Sequence, residues 1–199
     1  MVYKSLLFIF IIISIVSCDT NVKDNNKSDI FVLTDLEKEQ YLAKGKEIIV
    51  KTGETLTKEL KAKISEGGIE TAINYCNVAA LPLTDSIANL YAVKVRRVSD
   101  KIRNPANTPD SLESLVISDY KTSLSLEEPL QAKLVNENGS IRFMAPIILN
   151  DLCLKCHGTP NENISSTDRD FILKAYPQDQ AIDYKVGELR GIWSVTFSE

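Results

Sequence analysis

The sequence predicts an α+β domain, a sheet with helices packed on one side. Three observations carry this prediction. Helical patterns fill the front of the chain on either side of Gly67-Gly68. Alternating runs fill the back, starting with LQAKLVNENGSIRFMAPII, which reads as a β-hairpin around Asn-Glu-Asn-Gly. Strand and helix patterns do not alternate as a parallel βαβ fold would require. The 199 residues show no internal repeat and no second domain.

The chain opens with MVYKSLLFIFIIISIVSC, one basic residue (Lys4) and then an apolar run from Leu6 to Val16. Spanning a bilayer takes about 20 apolar residues, so residues 1–17 read as a signal peptide. The run stops at Ser17 before Cys18, as in a bacterial lipobox whose cysteine is lipidated, although Ile15-Val16-Ser17 replaces the more usual residues; ordinary cleavage or a retained anchor are the alternatives. Residues 18–33 include the polar DTNVKDNNKSD and read as a flexible tether to a folded domain over 34–199. Losing Lys4 takes the formal charge from -4 to -5, a poor match for nucleic acid.

Thr34-Asp-Leu-Glu37 has the form of a capping box and starts the first helix, with Leu42, Ile49, Leu56, Leu60 and Ile64 on one stripe. That stripe packs on its own domain rather than in a dimerising coiled coil. GIETAINYCNVAALP reads as a second helix closed by Pro82, with Ile69, Ile73, Cys76 and Ala80 on its apolar face. TDSIANL adds a short helical turn and YAVKVRRVS a strand. Pro105 and Pro109 precede a helix over Asp110 to Ser123. After the hairpin, RDFILKAYP and GIWSVTFS read as strands.

Cys153, Cys156 and His157 stand in NDLCLKCHGTP, and His157 is the only histidine in the sequence. On a helical turn, positions i, i+3 and i+4 share a face, so two thiols can join the vinyl groups of a haem while the adjacent imidazole ligates iron. This is the attachment signature of haem c, and an exported chain reaches the compartment where such haem is fitted. Zinc would need a fourth ligand, which Cys76 could supply, and a thioredoxin-like dithiol would need a βαβ context. With one histidine, bis-histidine ligation is impossible. Cys76, Met144 and an empty or water-filled position remain for the sixth site. Met144 otherwise fills core, and Cys76 is otherwise a buried thiol. The basic stretch Lys94 to Arg103 is a solvated strand face in one reading. In the other, Arg96, Arg97 and Arg103 contact haem propionates.

Several blocks in order, AINYCNVAALP, VRRVSDKIRNPANTPDSLE, FMAPI, LCLKCHG and YPQDQAIDYKVGELRGIWSV, resemble the bacterial PAS-like c-type haem domains, long described as a domain of unknown function. The chain departs from that pattern at Asp183 (usually glycine), Glu188 (commonly aspartate) and Leu112 (frequently aromatic). The resemblance implies a PAS-like antiparallel sheet, thioethers at Cys153 and Cys156, His157 as proximal ligand and Cys76 as distal ligand.

His/Cys ligation implies a low-potential, six-coordinate iron, because a thiolate stabilises the ferric state. No second histidine can serve as a peroxidase-type acid-base, so an enzyme is the least favoured class. Two functions stand. One is a membrane-tethered redox or gas sensor module in the cell envelope that signals to a separate protein. The other is a small cytochrome for electron transfer. Fold alone does not choose between them.

Overall fold

The computed structural model describes residues 33–137 and 139–197. The expected signal peptide, Cys18 and the expected tether as far as residue 32 lie outside the described residues. Leu33 is buried, so the last tether position belongs to the folded body. Thr34 caps the first helix, α1 (Asp35–Leu90), as expected: its hydroxyl accepts from Glu37 N at 3.3 Å while the Glu37 carboxylate accepts from Thr34 N at 2.7 Å.

α1 is two arms joined at Gly67 and Gly68, whose backbone leaves the helical region; Gly68 sits at φ +72°, where a side chain would be strained. The arms fold back on each other. Tyr75 Oη donates to Glu59 at 3.5 Å, and Tyr91 Oη donates to Glu47 at 3.0 Å. Pro82 does not close the second arm, which continues through TDSIANL to Leu90. A proline inside a helix costs about 3 kcal/mol. Here the residues beyond it, Thr84, Ile87 and Ala88, are all buried, and that burial offsets the lost hydrogen bond.

Four strands follow in an antiparallel sheet of order β1-β4-β3-β2: β1 (Val93–Val98), β2 (Lys133–Glu137), β3 (Ser140–Ile148) and β4 (Leu189–Phe197). The hairpin β2–β3 pairs Leu134 with Phe143, and β4 lies between β3 and β1, pairing Val195 with Phe143 and with Val95. Because side chains alternate, each strand serves two cores. Val95, Phe143 and Val195 meet Ile48 and Ala88 of α1. Val98, Met144 and Ile192 meet Val116, Ile117 and Tyr120 of α2 (Ser111–Ser125). The N-terminal arms thus cover one face, as expected, while α2 takes the other.

RDFILKAYP was expected as a strand and is instead most of α4 (Ser166–Ala175). The Ser165 hydroxyl accepts from Asp168 N at 3.1 Å and starts the helix. Only one residue, Ile172, is fully buried, against Ile73, Ile164 and Tyr176. A short apolar run flanked by a cap is ambiguous by periodicity, and the cap decides it.

Gly45 sets the distance between α1 and the sheet. A Cβ there would lie 2.2 Å from Phe143 Cγ, and Phe143 is 1% exposed. Helix propensity alone would make Gly45→Ala stabilising by about 1 kcal/mol. Overpacking against Phe143 reverses that, and we expect Gly45→Ala to destabilise the protein by about 1–3 kcal/mol in urea unfolding.

Candidate functional site

A cavity of about 340 Å³ lies between the two arms of α1, the α1-facing side of β1, β3 and β4, and the short helix α3 (Asp151–His157). Such a volume suits a small-molecule or cofactor ligand. The first arm contributes Leu56, Leu60 and Ile64, and the second contributes Ile73, Cys76 and Ala80. The lower half of each predicted apolar stripe therefore faces a cavity, while Ile48 and Thr52 above it pack fully buried.

α3 places Cys153, Cys156 and His157 on the same cavity. Asn150 caps it, its side-chain oxygen accepting from Leu152 N at 3.1 Å and from Cys153 Sγ at 3.3 Å. Gly158 follows it in an extended conformation, and a Cβ there would lie 2.5 Å from the side chain of Asn163, which in turn accepts from Thr159 N at 2.9 Å.

His157 is held in one tautomer. Its Nδ1–H donates to the Ala181 carbonyl at 2.8 Å, which leaves the lone pair on Nε2. Burial, reinforced by the cations Arg103 and Arg190, pushes its pKa well below the ordinary value and keeps the ring neutral. Cys76, Cys153 and Cys156 are free thiols. Burial raises Cys76, partly opposed by Arg97 and Arg103, and pushes Cys156 up to about 11. Among the described residues no group of three or more His, Cys, Asp or Glu could hold a bare metal ion. The donors surround a volume instead of converging on a point.

Arg103 ties the site together. Its guanidinium pairs with Asp179 at 3.0 Å and donates to the carbonyls of Cys156 and Ala181. Asp179, with no side-chain exposure, also accepts from Arg169 and, at 3.0 Å, from Ala181 N. Burial alone would raise the Asp179 pKa, but these hydrogen bonds and the Arg103 charge hold it below the usual carboxylate range. The residue whose carbonyl orients His157 is thus anchored by a buried ion pair.

The remaining predicted positions divide. Arg97 lines the cavity. Arg96, one residue away, points to the opposite face, where it pairs with buried Glu113 at 2.6 Å and donates to Thr108 O at 2.7 Å. A propionate role for Arg96 is therefore corrected to a structural one, by strand alternation alone. Met144 is fully buried in the α2-side core, its carbonyl bonded by Tyr120 Oη at 3.1 Å, and does not line the cavity.

Arg190 was not anticipated. β4 pairs Gly191 with Ile147 but Leu189 with Ile148, so Arg190 is the extra residue of a β-bulge. The bulge breaks alternation: Leu189 joins the α2-side core, and Arg190 turns into the cavity. Strict alternation in the sequence would have placed them otherwise.

Fold and site together define a PAS-like α+β domain with a cavity lined by cysteines and one histidine. The chain belongs to the Tll0287-like family, whose model, described as Tll0287, matches residues 23–198. It is similar to the crystal structure of the cyanobacterial heme-protein Tll0287, with 24% identity and a TM-score of 0.56, over 84% of this chain and 98% of that one. No curated protein matches. The α+β, PAS-like expectation thus holds.

Asp179→Asn should destabilise the protein by about 3–5 kcal/mol, since it strands Arg103 in a buried setting. The sign with pH follows from the depressed folded pKa. The Asp179 contribution is complete above the unfolded carboxylate pKa and is lost as pH falls through the lower folded value. Urea titrations of both proteins at neutral and acidic pH should therefore converge towards the acidic end.

Proposed function

We propose that the chain is a c-type haem protein in which Cys153 and Cys156 carry the porphyrin as thioethers, His157 ligates iron through Nε2 and Cys76 is the second axial ligand. The observation that carries this reading is that all four side chains, from α3 and from the second arm of α1, line one cavity. The donor chemistry fits the group: paired thiols at i and i+3, a neutral imidazole with its other nitrogen engaged, and apolar walls from Leu56, Leu60 and Ile73. The haem binding in the name of Tll0287 supports it further.

When bound, haem supplies a reversible one-electron couple, and a thiolate ligand sets it at low potential. The protein's own residues do the rest. Ala181 fixes the imidazole, the apolar walls exclude water, and Arg97 and Arg103 place positive charge towards Cys76. Burial works against ionising Cys76, so a thiolate there would depend on a cationic partner, and a bound iron would supply one whose charge changes with its redox state. That property favours a redox or gas sensor module over a plain electron carrier. The leader and the Ser17-Cys18 junction support export and lipid tethering at the cell envelope.

Two measurements test this. The pyridine haemochrome spectrum of the purified chain should show haem joined by two thioethers, and Cys153→Ala with Cys156→Ala should release it to acid-acetone. Absorbance and EPR of Cys76→Ala should lose the low-spin thiolate signature of the ferric protein; an unchanged spectrum removes Cys76 from the iron. A reduced wild-type protein that ignores CO and NO while exchanging electrons quickly would move the assignment to electron transfer.

A further inference from the structure

We propose that Arg97 and Arg190 together form the cradle for the two propionate carboxylates of the haem, an inference that rests on the haem reading above. Both side chains line the cavity. Neither has an ion-pair partner among the described residues, whereas Arg96, Arg103, Arg142 and Arg169 each do. The Arg97 guanidinium lies 5.9 Å from the Trp193 ring centre, and that of Arg190 lies 5.7 Å from the Tyr184 ring. Arg190 also donates Nη1–H to the Lys101 carbonyl at 3.1 Å. Each head is thus positioned by an aromatic surface without its charge being neutralised.

Their placement relative to the iron donors is specific. Arg97 is within electrostatic reach of Cys76, Arg190 of His157, and the two arginines of each other. The pair comes from β1 and β4, the sheet wall of the cavity whose helical walls carry Cys76 and His157, so its cations line the volume that a ligand held by those donors would fill. Asp179, the carboxylate within reach of Arg190, is already shared by Arg103 and Arg169. Two partly desolvated guanidiniums that repel each other are costly to bury without a counter-charge. A ligand bringing two carboxylates removes that cost, and the planar fork of arginine matches carboxylate geometry. The bulge at Arg190 has this as its consequence: it spends one residue of a central strand to turn a cation inward.

The test uses the full chain carrying its covalent haem, once the haemochrome assay has shown haem in the wild type. Resonance Raman of the propionate bending band should shift in both Arg97→Gln and Arg190→Gln and move back towards wild type in the Lys variants. The midpoint potential should fall in each Gln variant, because a positive charge near the iron is lost. A propionate band unchanged in both Gln variants overturns the cradle while leaving the haem reading intact. So does an Arg97→Gln variant that alters only the thiolate spectrum, which would make Arg97 a partner of Cys76 alone. A second measurement uses full-length Cys153→Ala/Cys156→Ala, which binds porphyrin without covalent bonds. It should prefer haemin over haemin dimethyl ester by about 10- to 100-fold, a preference lost when Arg97 and Arg190 are both Gln. Equal affinity for acid and ester in the parent overturns the proposal. A wild-type chain without haem overturns the earlier reading first.

Discussion

The Asp179 carboxylate sits at zero exposure among Arg103, Arg169 and the Ala181 amide, and the geometry of the site depends on that arrangement. Taking a carboxylate out of water costs several kcal/mol, so it stays charged only where donors saturate it. Here the donors come from three parts of the chain: the segment after β1, helix α4 and the loop before β4. Ionising Asp179 therefore brings those parts into one geometry. The loop then receives further ties. Tyr184 N donates to His157 O at 3.0 Å, Asp183 N to Gly158 O at 3.1 Å and Gln180 N to Ile102 O at 2.8 Å. His157 can be held in one tautomer because the carbonyl it meets is fixed from the other side.

The same loop explains a departure from the family pattern. Asp183 has φ +59°, the left-handed region where glycine costs least. Aspartate tolerates this region better than most residues, so the chain keeps the turn without glycine. Both flanking amides make their bonds, Ile182 N to Gln180 O and Tyr184 N to His157 O, each at 3.0 Å.

Much of the fold was readable because its signals are local. The box at Thr34–Glu37, the glycine pair at 67–68 and the β2–β3 hairpin are all settled within a few residues. Cys153, Cys156 and His157 were readable for the same reason, since one helical turn contains them. The misread parts depend on distant contacts. The helix passes Pro82 because of burial at Ile87 and Ala88, and α4 is a helix because one isoleucine meets α1. Arg96 and Arg97 are chemically alike, and only the direction of the strand face separates a structural ion pair with Glu113 from a place in the cavity. Arg190 needed the bulge to be known, and a bulge of one residue leaves no pattern that can be told from ordinary alternation.

One sheet supplies both a sealed core and an open cavity, and its central strands keep the two apart. On β3 the α2-facing position is Met144, on β4 it is Ile192, and both are fully buried. The α1-facing side changes character along its length. Near Ile48 the gap is closed by Phe143 against Gly45, while beyond Gly53 the arms stand off and Trp193 comes within 3.5 Å of where a Cβ would lie. The methionine is thereby confined to the packed side and the free thiol of Cys76 to the open one. Had β3 been displaced by one residue, Met144 would face α1 and Phe143 the α2 core, exchanging an aromatic ring for a thioether in the packed contact with Gly45 and Ile48. The register set by Phe143–Val195 pairing thus holds Met144 on the α2 side, as directly as the helical turn determines which thiols flank His157.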